Sequence, residues 1–193
     1  MNSSSKLGKY LSSLHQINSA AVVTDDTGSR VEHDWAIEMT ISLMHRVRDS
    51  LNKIIFIGNG GSAAIASHMA IDYSKNGRLP SLAMNDGAAL TCLGNDLGYE
   101  NVFAEQIDLH GREGDLLIAI SSSGTSENIL QAVKVARKKQ CHIVTMSGFS
   151  AGNPLRRMGI MNWYIESSEY GFVEVSHLTI CHAILDIEMG WTH

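Results

Sequence analysis

Apolar residues change their rhythm near residue 50 of the chain. Before that point the spacing is helical. Over residues 31–48, Trp35, Met39, Leu43 and Val47 form one stripe at 3.6-residue spacing, and Ile37, Ile41 and Met44 form a second. A helix that is apolar along two sides is buried on two sides, so this one is expected to make subunit contacts as well as to pack on its own core. Residues 6–23 read as a weaker helical segment, with Thr24-Asp25-Asp26-Thr27-Gly28-Ser29 as the loop between the two. Beyond residue 50, short β-branched runs alternate with helical stretches. Strands are expected at 53–57, 81–84, 115–120, 142–146 and 162–165, and helices at 62–74, 126–138 and 173–189, with helical or irregular sequence up to 109. Such alternation predicts a three-layer α/β fold: a parallel sheet, helices on both faces and right-handed crossovers.

At 193 residues and 21.0 kDa the chain suffices for one sizeable core. It is read as a single domain over residues 1–193, with 1–50 as a helical extension within it. Fifteen Lys and Arg against 20 Asp and Glu give a net charge of −5, which argues against electrostatic binding of nucleic acid. No apolar run approaches the ~20 residues that span a bilayer, so no membrane association is expected. Residues 1–6 lack the apolar core of a signal peptide, which makes the cytoplasm the expected location. Cys92, Cys141 and Cys181 are far apart, form no CxxC pair and sit among apolar neighbours. They are expected to be buried reduced thiols rather than zinc ligands or a disulfide.

Two of the strand ends carry chemistry. In a parallel α/β sheet, ligands bind beyond the carboxyl ends of the strands, where the strand order switches. The first strand runs into Gly58-Asn59-Gly60-Gly61-Ser62, which opens a helix. Glycines let backbone approach a ligand, and a helix N-terminus offers free N–H groups. The spacing fits neither the G-x-G-x-x-G dinucleotide fingerprint nor a Walker motif, and taken alone it is equally a tight turn with a Ser cap. The strand at 115–120 runs into Ser121-Ser122-Ser123-Gly124-Thr125-Ser126, hydroxyls and amides gathered at another helix start, with Ser126 as the N-cap. Together the two turns describe a site for a phosphorylated small molecule. A third segment, Leu93-Gly94-Asn95-Asp96-Leu97-Gly98, reads as a loop, either a simple Asx turn or a source of hydrogen bonds to sugar hydroxyls.

Among the ionisable groups, His68 and Asp72 lie four apart on the helix after the glycine turn and share a face, as a metal pair, an acid/base pair or a simple surface interaction. Glu174 and His182, on the last helix, are separated by about 80° of rotation and ~12 Å of rise. They reach one metal only if their side chains lean together or come from different subunits.

These motifs, with Gly111-Arg112-Glu113-Gly114-Asp115, resemble those of the phosphoheptose isomerases of the SIS-domain superfamily, over residues 31–189. The resemblance implies a flavodoxin-like, five-stranded parallel sheet and a homotetramer held by the N-terminal helices, with sites between subunits. It implies conversion of sedoheptulose 7-phosphate to D-glycero-D-manno-heptose 7-phosphate, for lipopolysaccharide or capsule, with zinc at the site. Carried over by position, the substrate contacts are Asn59, Gly60, Gly61, Ser62, Asp72, Asn95, Asp96, Ser121, Ser122, Ser123, Ser126 and Glu174. The metal set is His68, Asp72, Glu174 and His182. Asp72 stands where the family has its catalytic glutamate, and Glu174 where it has a glutamine. Isomerisation through an enediol needs a base and an acid, roles that fall to Asp72 and His182; zinc polarising the carbonyl is the competing assignment. The other functions open to such a chain are a non-catalytic phosphosugar sensor or replication-initiator adaptor, and an isomerase of a different phosphosugar.

Overall fold

The two central strands, β3 (Ile54–Gly58) and β5 (Leu116–Ser121), are buried at every position because helices cover both faces of the sheet. Alternation along them divides the core. Ile54, Phe56, Leu116, Ile118 and Ile120 face one apolar cluster, and Ile55, Ile57, Leu117 and Ala119 face the other. The first cluster is closed by α2 (His33–Asp49), α3 (Gly61–Lys75) and α7 (Tyr170–Glu188), the second by α5 (Val102–His110) and α6 (Glu127–Lys138). The computed structural model describes residues 5–192. Residues 1–4, part of the segment read as lacking a signal peptide, and His193 lie outside the described residues.

Five parallel strands are present, as the resemblance implies. With β4 (Ser81–Ala83), β6 (His142–Ser147) and β7 (Met161–Tyr164), their spatial order is β7-β6-β5-β3-β4. The chain therefore moves outward from β3 to β4, then returns to the far side of β3 to lay down β5 in register Ile54↔Leu116 through Gly58↔Ile120. This reversal puts the switch point between the carboxyl ends of β3 and β5, where ligands bind in such sheets.

The N-terminal region departs from expectation. Helix α1 (Lys6–Ser19) stops short of residue 23, and β1 (Val22–Asp25) and β2 (Arg30–Val31) form a hairpin that extends the sheet to seven strands. β1 lies antiparallel to β7, pairing Val22↔Tyr164 through Asp25↔Met161. Val22, Val23 and Thr24 are β-branched, and the exposed hydrogen-bonding edge of β7 outweighs the weak helical periodicity of this segment. Asp25 closes the turn by accepting from the amides of Thr27 and Ser29, both at 2.9 Å. Helix α2 begins at His33 and buries Leu43, Met44 and Val47, whereas Trp35 is exposed. Two of the thiols also depart from expectation: Cys141 is half-buried and Cys92 exposed, whereas Cys181 is buried; all three are free.

The segment 93–98, expected as a loop, is instead the end of helix α4 (Gly87–Leu97), capped at its start by Asp86 Oδ1, which accepts from Ala89 N at 3.0 Å. The glycines that suggest a loop flank Asn95 and Asp96 without breaking the helix, which ends at Gly98 with φ +85°. At the opposite end of the sheet, the buried carboxylate of Asp115 staples β5 to the start of β3. It accepts from Lys53 Nζ at 2.5 Å, Asn52 Nδ2 and Lys53 N at 3.0 Å, and Arg112 N at 2.8 Å. This is the physical role of the Gly-Arg-Glu-Gly-Asp motif.

Candidate active site

The glycine turn and the serine loop face each other across the switch point and enclose a cavity of about 260 Å³. Asn59, Gly60, Gly61 and Ser62 line it from the first turn, Ser121, Ser122, Ser123 and Ser126 from the second, and Tyr170 and Glu174 from α7. Gly60 sits at φ +53° and ψ −121°, a conformation open to glycine alone, and this allows β3 to pass directly into α3. At Gly61 the reason for glycine is a close approach: a Cβ there would collide with the Glu174 carboxylate. Glu174 therefore places its negative charge at the N-terminus of α3, where the helix dipole favours an anion.

The serine loop keeps its own anion-binding capacity open. Ser126 occupies the N-cap position of α6, but its side chain makes no capping hydrogen bond; Ser121 Oγ donates to it at 3.3 Å. Ser122 is buried and its Oγ has no hydrogen-bond partner among the described residues. A buried hydroxyl left unpaired is costly unless a ligand or water completes it. Among the described residues no Lys or Arg lines the cavity, so an anion here is held by hydroxyls and amides alone.

A second cluster lies further along the same two helices. Asp72 Oδ2 is 3.5 Å from His68 Nε2 and 4.0 Å from His182 Nδ1, and the two imidazole rings meet edge-to-face at 5.3 Å. One ligand atom from each of the three residues lies within 4.8 Å of the others. Glu174 is not in this group. Two turns of α7 separate it from His182, so within one chain the four residues expected at the metal fall into a triad and a carboxylate at the cavity. A buried hydrogen bond sets the triad's geometry: Tyr73 OH donates to Cys181 O at 2.9 Å, fixing α3 to α7 one residue beyond Asp72 and one before His182. Burial pushes the Tyr73 phenol well above its ordinary pKa, so it remains a donor at all physiological pH.

The structure does not bring Asn95 and Asp96 to the cavity wall. They are exposed on α4 and bonded to each other, Asn95 Nδ2 donating to Asp96 Oδ1 at 2.7 Å. Sequence reasoning missed three residues. Asn128, buried in the first turn of α6, exchanges two 2.9 Å hydrogen bonds with the side-chain amide of Asn59. Tyr99 OH donates to Asn59 Oδ1 at 3.1 Å. Tyr170 stands at the cavity mouth with its ring edge-to-face on Phe149 at 4.8 Å. An asparagine inside a helix start is a readable signal for the first; the two tyrosines carry none.

A doubly wound sheet with a glycine turn and a serine loop at its switch point defines a SIS domain, and the SIS domain family matches residues 25–148. A phosphoheptose isomerase of Aneurinibacillus thermoaerophilus is 38% identical over 154 residues, 77% of this chain and 77% of that protein. The phosphoheptose isomerase of Citrifermentans bemidjiense is 32% identical over 158 residues, 79% of this chain and 82% of that protein. The solved phosphoheptose isomerase of Neisseria gonorrhoeae superposes with a TM-score of 0.79 at 27% identity, covering 95% of this chain and 97% of that one. The chain belongs to the phosphoheptose isomerase family of SIS-domain proteins.

Proposed function

We propose that this chain is an aldose–ketose isomerase that converts sedoheptulose 7-phosphate to D-glycero-D-manno-heptose 7-phosphate through an enediol. The observation that carries the reading is the pairing of a serine-loop cradle, lined by no Lys or Arg among the described residues, with a histidine–carboxylate cluster on α3 and α7. Gly61 lines the cavity and His68 belongs to the cluster, ~10 Å apart along α3, a span that a sugar phosphate can bridge from one to the other. The phosphate goes to the serine loop, because Glu174 already fills the N-terminus of α3.

Asp72 takes the proton from the carbon beside the carbonyl and returns it to the neighbouring carbon, while His182 moves a proton between the two oxygens. His68 approaches the same Asp72 oxygen as His182, at 3.5 Å. Two imidazoles and one carboxylate with a side open to ligand are also a donor set that fits zinc, which His68, Asp72 and His182 would hold. Bound there, the ion supplies polarisation of the substrate carbonyl.

The reading extends to a homotetramer, to a cytoplasmic location, and to heptose supply for lipopolysaccharide or capsule. Helix α1 supports self-association: it buries none of its residues and exposes Leu7, Tyr10 and Leu11. No helix among the described residues is long and apolar enough to cross a membrane.

The deciding experiment is incubation with sedoheptulose 7-phosphate in heavy water, with and without zinc, followed by NMR. An aldose phosphate carrying deuterium at C2 is expected, and His182→Ala should abolish it in a folded protein. Binding of the sugar phosphate without product or exchange would make the chain a sensor or adaptor instead.

A further inference from the structure

The serine loop rests on another segment of the chain. The stretch that follows β6 packs against it through Asn153, which is 3% exposed. Asn153 Nδ2 donates to Ser150 O at 2.8 Å and to Ser147 Oγ and Gly148 O at 3.2 Å. Its Oδ1 accepts from Arg156 N at 3.1 Å, capping a short 3-10 turn. Both ends of the amide are thus committed to shaping its own segment, and its flank meets the cradle. Gly124 sits at φ +64°, and a Cβ there would overlap the Asn153 side chain. On either side of this contact the backbones are joined, Gly148 N donating to Ser122 O at 2.9 Å and Leu155 N to Gly124 O at 3.2 Å. Ser122, on this loop, has a buried hydroxyl with no partner among the described residues.

The same segment is gripped from α7. His177 is buried, and its Nε2–H donates to Ser147 O at 3.1 Å. Burial lowers its pKa to about 4, so the ring stays neutral. Val173 fills the space that a side chain at Gly148 would need. A continuous packed path therefore runs from α7, which carries Glu174 and His182, through residues 147–153 to the serine loop.

We infer that Asn153 is a positioning residue: its amide sets the serine loop against α7 and thereby fixes the geometry in which residues 121–126 hold a phosphate group. This rests on the reading of that loop as the phosphate cradle. A cradle of hydroxyls and amides depends on hydrogen bonds that fail beyond ~3.2 Å, and no fixed cation among the described residues lines it to compensate a shift.

The test uses two neutral variants. Asn153→Ser keeps an oxygen to cap the 3-10 turn but removes the support under Gly124. Gly124→Ala presses on the same contact from the other side. The dissociation constant for inorganic phosphate is measured by calorimetry, and KM and kcat for sedoheptulose 7-phosphate are measured in the same preparations. Both variants are expected to raise the phosphate Kd and the KM by about tenfold, the scale of one hydrogen bond lost to a charged ligand, with kcat of Asn153→Ser within about threefold of the parent. A purely structural role would lower the melting temperature and leave Kd and KM unchanged, and that result overturns the inference. If Asn153→Ser fails to fold, an unchanged Kd in Gly124→Ala overturns it alone. Failure of the unmodified protein to bind phosphate or the sugar phosphate removes the cradle reading and this inference together. Tight binding in the parent with unaltered binding in the variants removes only the role of Asn153.

Discussion

Replacing Asp72 by Asn exchanges one carboxylate oxygen for an amide at nearly constant volume and removes the one carboxylate that the described residues bring to the histidine cluster. The structure predicts very different consequences for stability and for catalysis. The carboxylate stands 3.5 Å from His68, whose side chain is 52% exposed, and 4.0 Å from His182, whose side chain is 34% exposed. Neither distance is that of a good hydrogen bond, and exposed ion pairs of this kind contribute about 0–1 kcal/mol. The loss of stability should therefore be below about 1 kcal/mol. A positioned general base, by contrast, contributes about 10²–10⁴ in rate, or about 3–5 kcal/mol of barrier. Urea unfolding followed by circular dichroism reads the first quantity. Deuterium incorporation at C2 of the aldose phosphate, followed by NMR with and without zinc, reads the second. A variant that unfolds at the parental urea concentration and has lost at least a hundredfold in exchange rate supports the assignment. Turnover within threefold of the parent would refute it, since among the described residues the histidine cluster holds no second carboxylate to take over.

Three further outcomes are expected. Tyr73→Phe deletes the hydrogen bond between α3 and α7, which should cost about 1 kcal/mol in urea unfolding and lower kcat more than it raises KM, because the bond adjoins Asp72 and His182 rather than the phosphate cradle. Glu174→Gln removes a negative charge beside an anion pocket and should lower the KM for the sugar phosphate about two- to fivefold, the 0.3–1 kcal/mol scale of charges at helix termini, with an effect that shrinks as salt is raised. Asp115→Asn leaves Lys53 without its carboxylate and should destabilise the fold by about 3 kcal/mol. For Asp115 itself, burial alone would raise the pKa, but donors from Lys53, Asn52 and two backbone amides outweigh it and hold the carboxyl below its ordinary value of 3.8. The stability it adds is therefore complete above that value and lost as pH falls through the lower folded pKa, measurable as an acid-unfolding limb absent from the Asn variant.

Local features of the sequence were enough to place the strands of the parallel sheet, the glycine turn, the serine loop and the His68–Asp72 pair. Each depends on residues that are neighbours in the chain: short β-branched runs, a turn that needs glycine at Gly60, and an i,i+4 spacing on one helix face. Where local preference was weak, the tertiary partner decided. Residues 22–25 became a strand because the edge of β7 offered hydrogen bonds, and Asn95 and Asp96 stayed helical because the helix capped by Asp86 runs on past Gly94. The site shows the same division. His182 meets Asp72 across the α3–α7 contact, which the bond from Tyr73 to Cys181 ties together, and Glu174 goes to Gly61 rather than to the histidines because two turns of α7 separate the two positions. Tyr170 at the cavity mouth and Asn153 beneath the serine loop have no signature in sequence at all. Their roles come from contacts between segments far apart in the chain, which side-chain direction and packing determine and sequence spacing does not.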